Sequence, residues 1–186
     1  LLEFLCKKHN GILERQLDCS NSPDIIYTLK TPSRHLLIKF NTVNTVTQMP
    51  HSSRWFISQC KNKHRDVGSW IVFLCYDLDN YKNDITKFYE GDWVNLRTSL
   101  KKKAKAVHDI AAAADIEGIS RFLGSPNTMV LPTGSKGKAK LKKLFRQANR
   151  TYHEGKRART LIDSLDMQKI MDTSLAPLTM IESVIF

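Results

Sequence analysis

The chain has no long apolar run, few cysteines and, over its third quarter, almost no acids. Each shortage excludes something. A membrane-spanning helix needs roughly 18–20 consecutive apolar residues, whereas the longest run here, residues 70–76, has the length of a buried strand. Cys6, Cys19, Cys60 and Cys75 form no CxxC pair. That excludes a dense disulfide framework and points to reduced, buried thiols in an intracellular protein, nuclear or cytoplasmic. Cys6 with His9, and Cys60 with His64, have the spacing of zinc ligands, yet each is a pair without a second half. No structural metal and no cofactor are therefore expected. The GxxxxGK[ST] phosphate loop is missing, and no Ser-His-Asp or Cys-His constellation stands out.

What the chain does have is localised positive charge. Sixteen of its 29 Lys and Arg lie in residues 97–159, where the acids are Asp109, Asp115, Glu117 and Glu154. That stretch carries a net +12 in a chain whose total is +11, so the rest sums to −1. A concentrated basic surface is the footprint of a polyanionic partner, most often nucleic acid. Hydrophobic content of 41% with three Trp supplies a core in spite of that charge, so the chain reads as folded. It begins at Leu1 inside a helical pattern and is expected to be an excised piece of a longer protein. A missing targeting segment then carries no weight.

Residues 1–9 place Leu1, Leu2 and Leu5 on one helical face and stop at Asn10-Gly11. Residues 12–19 suit strand or helix. Residues 22–30 carry conflicting signals: Ile25, Ile26 and Tyr27 favour a strand, while Ser22, Pro23 and Asp24 are good helix starters. Residues 35–40 read as a strand after a turn at 31–34. Residues 53–63 read as a helix burying Trp55, Phe56 and Cys60, and residues 70–76 as a buried strand. Residues 93–114 fit one long helix, with Leu96, Leu100, Val107, Ala111 and Ala114 as its apolar stripe and Arg97, Lys101, Lys105 and His108 on another face. Residues 132–138 are a loop by composition. Residues 138–150 form a helix with Leu141, Leu144, Phe145 and Ala148 inward, and 160–171 a last amphipathic helix. The fold class is mixed α/β: a small sheet flanked by helices over residues 1–92, followed by a basic helical C-terminal half over residues 93–186, packed on the first.

On the two basic helices, cations recur about one turn apart, near ~6 Å, comparable to the spacing of successive phosphates. The candidate backbone contacts are Arg97, Lys101, Lys102 and Lys105 on the first, and Lys138, Lys142, Lys143, Arg146 and Arg150 on the second. Lys136 in the loop joins them, with Arg157 and Arg159 beyond. Backbone N–H groups of residues 134–137 are placed to approach a phosphate between Lys136 and Lys138. Tyr152 and His153 lie beside the cations and offer faces for bases, which puts RNA ahead of DNA. The same lysine runs have the composition of nuclear localisation patches.

Residues 1–76 resemble the core of the PD-(D/E)XK nuclease superfamily, the restriction-endonuclease-like fold. The order matches: a helix at 1–9, Pro23-Asp24 leading the strand 25–29, the strand 35–40 with Lys39, a helix at 53–63 and a strand at 70–76. The resemblance implies carboxylates holding a divalent metal and a lysine that activates water, with Asp24 and Lys39 in those roles. The second acid belongs at position 37, where Leu37 stands. The resemblance then implies a binding domain or an impaired nuclease more readily than an active one. Residues 1–40 also resemble a winged-helix module, as in the N-terminal modules of CCCH-finger antiviral proteins and their poly(ADP-ribose)-polymerase-like relatives. That needs residues 12–19 and 22–30 as helices and 35–40 as a wing strand, and no CCCH finger follows. Asp77, Asp79 and Asp84, after the strand 70–76, sit where PIN-type nucleases bind metal, against the plainer reading of a polar turn.

The expectation is a nucleic-acid-binding protein, non-catalytic and part of a larger protein or assembly. A metal-dependent nuclease using Asp24 and Lys39, or Asp77 and Asp79, is the first alternative. The second is an interaction module that docks its basic face on an acidic protein, with the apolar tail at 175–186 packed on another subunit. No membrane partner is expected.

Overall fold

Asn10 decides where the first helix stops. Its backbone takes φ 52, a left-handed conformation that Asn tolerates, and the Gly11 N–H closes back on the Cys6 carbonyl at 2.7 Å. The helix so ended, α1 (Leu2–Lys8), buries Leu5 and Cys6 and sets Lys7 and Lys8 at its carbonyl end, where the helix dipole favours cations. The computed structural model describes residues 1–16, 25–77, 87–112, 123, 137–153, 159, 166–168, 171 and 177–186. They fall into two units, Leu1–Ala111 with Glu182–Phe186, and Ala112–Ile181. The class is mixed α/β, small sheets flanked by helices.

In the first unit β1 (Ile12–Gln16), β2 (Ile25–Lys30) and β3 (His35–Phe40) form an antiparallel meander with β2 in the centre. The registers are Ile12↔Lys30 and Ile26↔Lys39. The conflict over residues 25–30 is resolved as strand because β2 is paired on both sides, which suits a β-branched and aromatic segment. Ile26 and Leu29 are buried. The described parts of the two segments that a three-helix unit would need as helices, 12–19 and 22–30, are therefore strands. The β2–β3 turn is held by the Thr31 N–H on the Arg34 carbonyl at 2.9 Å and by the Arg34 N–H on the Thr31 hydroxyl at 3.0 Å.

The next helix, α2 (Met49–Lys63), starts ahead of the predicted 53–63, with Pro50 in its first turn, where a missing N–H costs nothing. Met49, Ile57 and Cys60 face inward. Trp55 does not, contrary to expectation. It lies about 200° around the helix from Ile57 and keeps 55% of its surface exposed.

The single helix predicted over residues 93–114 does not form. Instead α3 (Glu90–Lys101) is followed by a turn and then β5 (Ala106–Ala112), which pairs with β4 (Ile71–Asp77) in a two-stranded sheet. The cause is tertiary. The N–H and C=O groups of β4 need partners, and β5 is its neighbour in that sheet. Continued helix would also stack Lys101 on Lys105, a like-charge pair that costs about 0.2–0.5 kcal/mol. The Lys105 N–H is captured by the Trp70 carbonyl at 2.8 Å, just where β5 begins.

The core under this sheet is Val46, Met49, Ile57, Leu74, Phe88, Trp93, Leu96 and Leu100. Trp93 is fully buried, with Tyr76 at 4.3 Å and Phe88 edge-on at 4.9 Å between ring centroids. A second set of contacts joins the end of the chain to its beginning, through α5 (Pro177–Ile185) and Phe186. Lys8 and His9 donate to one Glu182 oxygen at 2.8 and 2.7 Å, Phe186 stacks on His9 at 4.4 Å, and Arg34 donates to the Val184 carbonyl at 3.0 Å. Part of the tail expected on another subunit thus packs on the chain's own first unit.

In the second unit α4 (Gly137–Gln147) buries Leu144 and Phe145 with Leu123, and Leu141, Ala148 and Tyr152 pack around them. Asn149 at φ 53 ends α4, as Asn10 ends α1, with the Arg150 N–H on the Phe145 carbonyl at 2.8 Å. Most of the helix predicted at 160–171 lies outside the described residues.

Truncating Trp93 to Ala should remove about 3–5 kcal/mol of stability, read as a lower denaturation midpoint with an unchanged slope. Hydrogen bonds from Lys8 and His9 hold the Glu182 carboxyl below its usual range. A depressed folded-state value stabilises above the unfolded carboxylate value of about 4.3 and is lost as pH falls through the lowered value. Amide protection in α1 and α5 should therefore fade in acid, and Glu182→Gln should weaken it at neutral pH and flatten the acid response.

Candidate nucleic-acid interface

The turn between α3 and β5 carries Lys102, Lys103 and Lys105, and α3 ends in Lys101. All of these are exposed. The turn is fixed by the Lys103 and Ala104 N–H groups on the Leu100 carbonyl at 2.8 and 3.0 Å. It is then seated on α2. The Lys103 ammonium donates to the Ser58 hydroxyl at 2.6 Å, and the Lys61 ammonium donates to the Lys103 carbonyl at 3.2 Å. Two basic segments some forty positions apart thus meet: Lys61 near the end of α2, with Lys101, Lys102, Lys103 and Lys105 from the turn, while Lys63 and Arg65 are exposed just beyond Lys61 in the chain. Among the described residues no ion pair neutralises these cations. Glu90 and Asp92 sit at the far end of α3, about 16 Å away along a helix of this length. Acids at its N-terminus and lysines at its C-terminus both suit its dipole.

Arg97 has another role. Its guanidinium donates to Asp109 Oδ2 on β5 through Nε at 2.6 Å and to Glu90 at 3.2 Å, and it lies 6.0 Å from the Trp93 ring. It pins α3 to β5 and is not part of the open basic surface. His108 is half-buried and stacks on Phe73. With the long helix gone, Arg97, Lys101, Lys105 and His108 no longer share a helical face.

In the second unit Lys142 and Arg146 lie one turn apart on the exposed side of α4, and Lys143 is half-buried. Arg150 is exposed but follows the left-handed Asn149, so it does not extend that stripe. Lys138 lies in the first turn of α4, and Arg159 is exposed. Lys136 and Arg157 lie outside the described residues. Tyr152 packs on Phe145 at 5.5 Å, an ordinary core contact.

Of the candidate nuclease residues, Lys39 is on β3, half-buried, with its ammonium 3.4 Å from His64 Nε2 and 6.0 Å from the Phe56 ring. Leu37 lies opposite Thr28 in the sheet. Asp24, Asp79 and Asp84 lie outside the described residues. Among the described residues no group of three or more His, Cys, Asp and Glu is arranged to hold a metal ion. His9 is engaged by Glu182, and His64 lies beside Lys39 and Trp70.

Lys61, Lys63, Arg65 and the exposed Trp55 are absent from the candidates that sequence reasoning selected. A signal for them exists. From residue 25 to residue 65 the chain holds no Asp or Glu, against Lys30, Arg34, Lys39, Arg54, Lys61, Lys63 and Arg65. Summing charge over everything outside 97–159 averages that window away. Comparison with known proteins finds no matching family model, no matching curated protein and no matching solved structure.

Proposed function

We propose that this chain binds nucleic acid without cleaving it, as an intracellular module of a larger protein or assembly. The observation that carries the reading is the composite basic surface of the first unit, where the α3–β5 turn is fastened to the end of α2. Lysines mounted on a braced turn lose less freedom on binding than lysines on a loose loop, so more of their attraction to phosphate is realised as affinity. Contacts of this kind position a partner without reading its sequence. The exposed Lys142 and Arg146 on α4 supply further cations from the second unit.

The test is a binding titration of labelled single-stranded RNA, duplex RNA and duplex DNA at several salt concentrations, with and without Mn²⁺. Affinity should fall steeply with salt and the label should stay intact. Changing Lys101, Lys102 and Lys105 together to Ala should reduce the salt slope by about 0.7–0.9 per lost contact, on every polymer alike. Arg97→Met should instead lower the denaturation midpoint and leave the slope unchanged. No binding at low salt overturns the reading and favours an acidic protein partner. Metal-dependent cleavage lost in Lys39→Ala favours the nuclease alternative.

A further inference from the structure

We infer that Trp55 is a base-stacking platform and that the partner of the basic surface is single-stranded nucleic acid, an inference that rests on the nucleic-acid reading above. The argument begins with helix geometry. Met49, Ile57 and Cys60 commit one side of α2 to the core. The opposite side presents His51, Trp55 and Asn62, with half-buried Gln59 at its flank. His51 and Asn62 are exposed, and Trp55 keeps 55% of its surface in water. The adjoining stripe is Arg54, Ser58 and Lys61, and Ser58 is the residue that receives the Lys103 ammonium. Residues three or four apart on a helix are neighbours, about 5–6 Å between Cβ atoms. The indole is therefore one turn from the point where the lysine turn is fastened.

Exposed apolar side chains are common on protein surfaces, and Ile12, Ile71 and Val94 are exposed here too. Trp55 differs from them in chemistry and in setting. An indole offers a flat π face on which a base stacks whatever its identity, and stacking of this kind combined with a cationic track is how single strands are held without sequence preference. Its neighbours supply the track and no acid: α2 carries none, and none occurs between residues 25 and 65. His51 and the half-buried Gln59, each one turn from Trp55 on α2, carry imidazole and amide groups able to meet the exposed edges of an unpaired base. A duplex buries its base faces in its own stack and offers the indole nothing. A single strand offers both base face and phosphate.

The experiment compares wild type, Trp55→Ala and Trp55→Phe with the Lys101, Lys102 and Lys105 triple variant on four labelled ligands. These are single-stranded RNA, single-stranded DNA, duplex DNA and an abasic strand of equal charge. Circular dichroism confirms that each variant is folded. Trp55→Ala should weaken both single strands about tenfold or more and leave the duplex, the abasic strand and the salt slope unchanged, with Trp55→Phe in between. Single strands should quench the protein's Trp emission, and most of that quench should be lost in Trp55→Phe, since Trp93 is fully buried and Trp70 is half-buried. The two single strands distinguish RNA from DNA as the source of the stacked base. Equal single-strand affinity in wild type and Trp55→Ala, with the triple variant still weakened, overturns the stacking role and leaves the basic surface standing. An equal loss on duplex and abasic ligands also overturns it. Loss of all binding at low salt in wild type overturns both readings together.

Discussion

The need of β4 for a hydrogen-bonding neighbour organises the first unit. A strand rich in Ile, Val and Phe, set on a core that includes Leu74, cannot leave its backbone unpaired there. β5 meets that need, and in doing so it takes residues 106–112 away from a helix that local periodicity supports. The turn this creates is where the lysines project. The basic surface is in that sense a by-product of sheet completion: the turn that β5 requires is the segment that Lys103 and Lys61 fasten to α2.

Two different uses of positive charge follow. Arg97 is drawn into the fold, bridging α3 to Asp109 on β5 beside Trp93. A planar fork suits that task, since it holds an acid by directed hydrogen bonds and lies against an aromatic ring. The lysines of the turn stay in water, where a compact and strongly hydrated ammonium belongs. Lys103 links the two roles, because its ammonium and its carbonyl both fasten the turn to α2. Arginine at the structural position and lysines at the open ones divide the charge according to side-chain chemistry.

Much of the fold is legible in the sequence where local pattern and tertiary need agree. Residues 35–40 and 70–76 have strand composition and strand partners, and Asn-Gly after α1 has one reading. The α3–β5 region is illegible for the opposite reason. Ala-rich and Lys-rich residues 101–114 favour helix locally, and pairing with β4 outweighs that preference. Trp55 is missed because a large aromatic is assumed to face inward, whereas the phase of α2 is fixed by Met49, Ile57 and Cys60. The basic surface is half legible. Its turn lies in the charge-rich stretch, but Lys61 joins it through a contact with Lys103 that no linear count contains. The order seen is helix, three strands, helix, strand, from α1 through β1, β2, β3 and α2 to β4, and an order of elements by itself assigns no chemistry.

The clasp between His9 and Glu182 spans 173 positions, and this bears on how the protein folds. Closing a flexible loop of that length costs about 2 kcal/mol more in chain entropy than closing one of 20 residues. The cost falls if residues 112–181 collapse first, since a folded insert shortens the effective loop. Order in the second unit therefore promotes closure of the first through chain entropy alone. During synthesis the α1 side of the clasp waits for Glu182 to emerge, so α1 gains this contact only after residues 112–181 have been made.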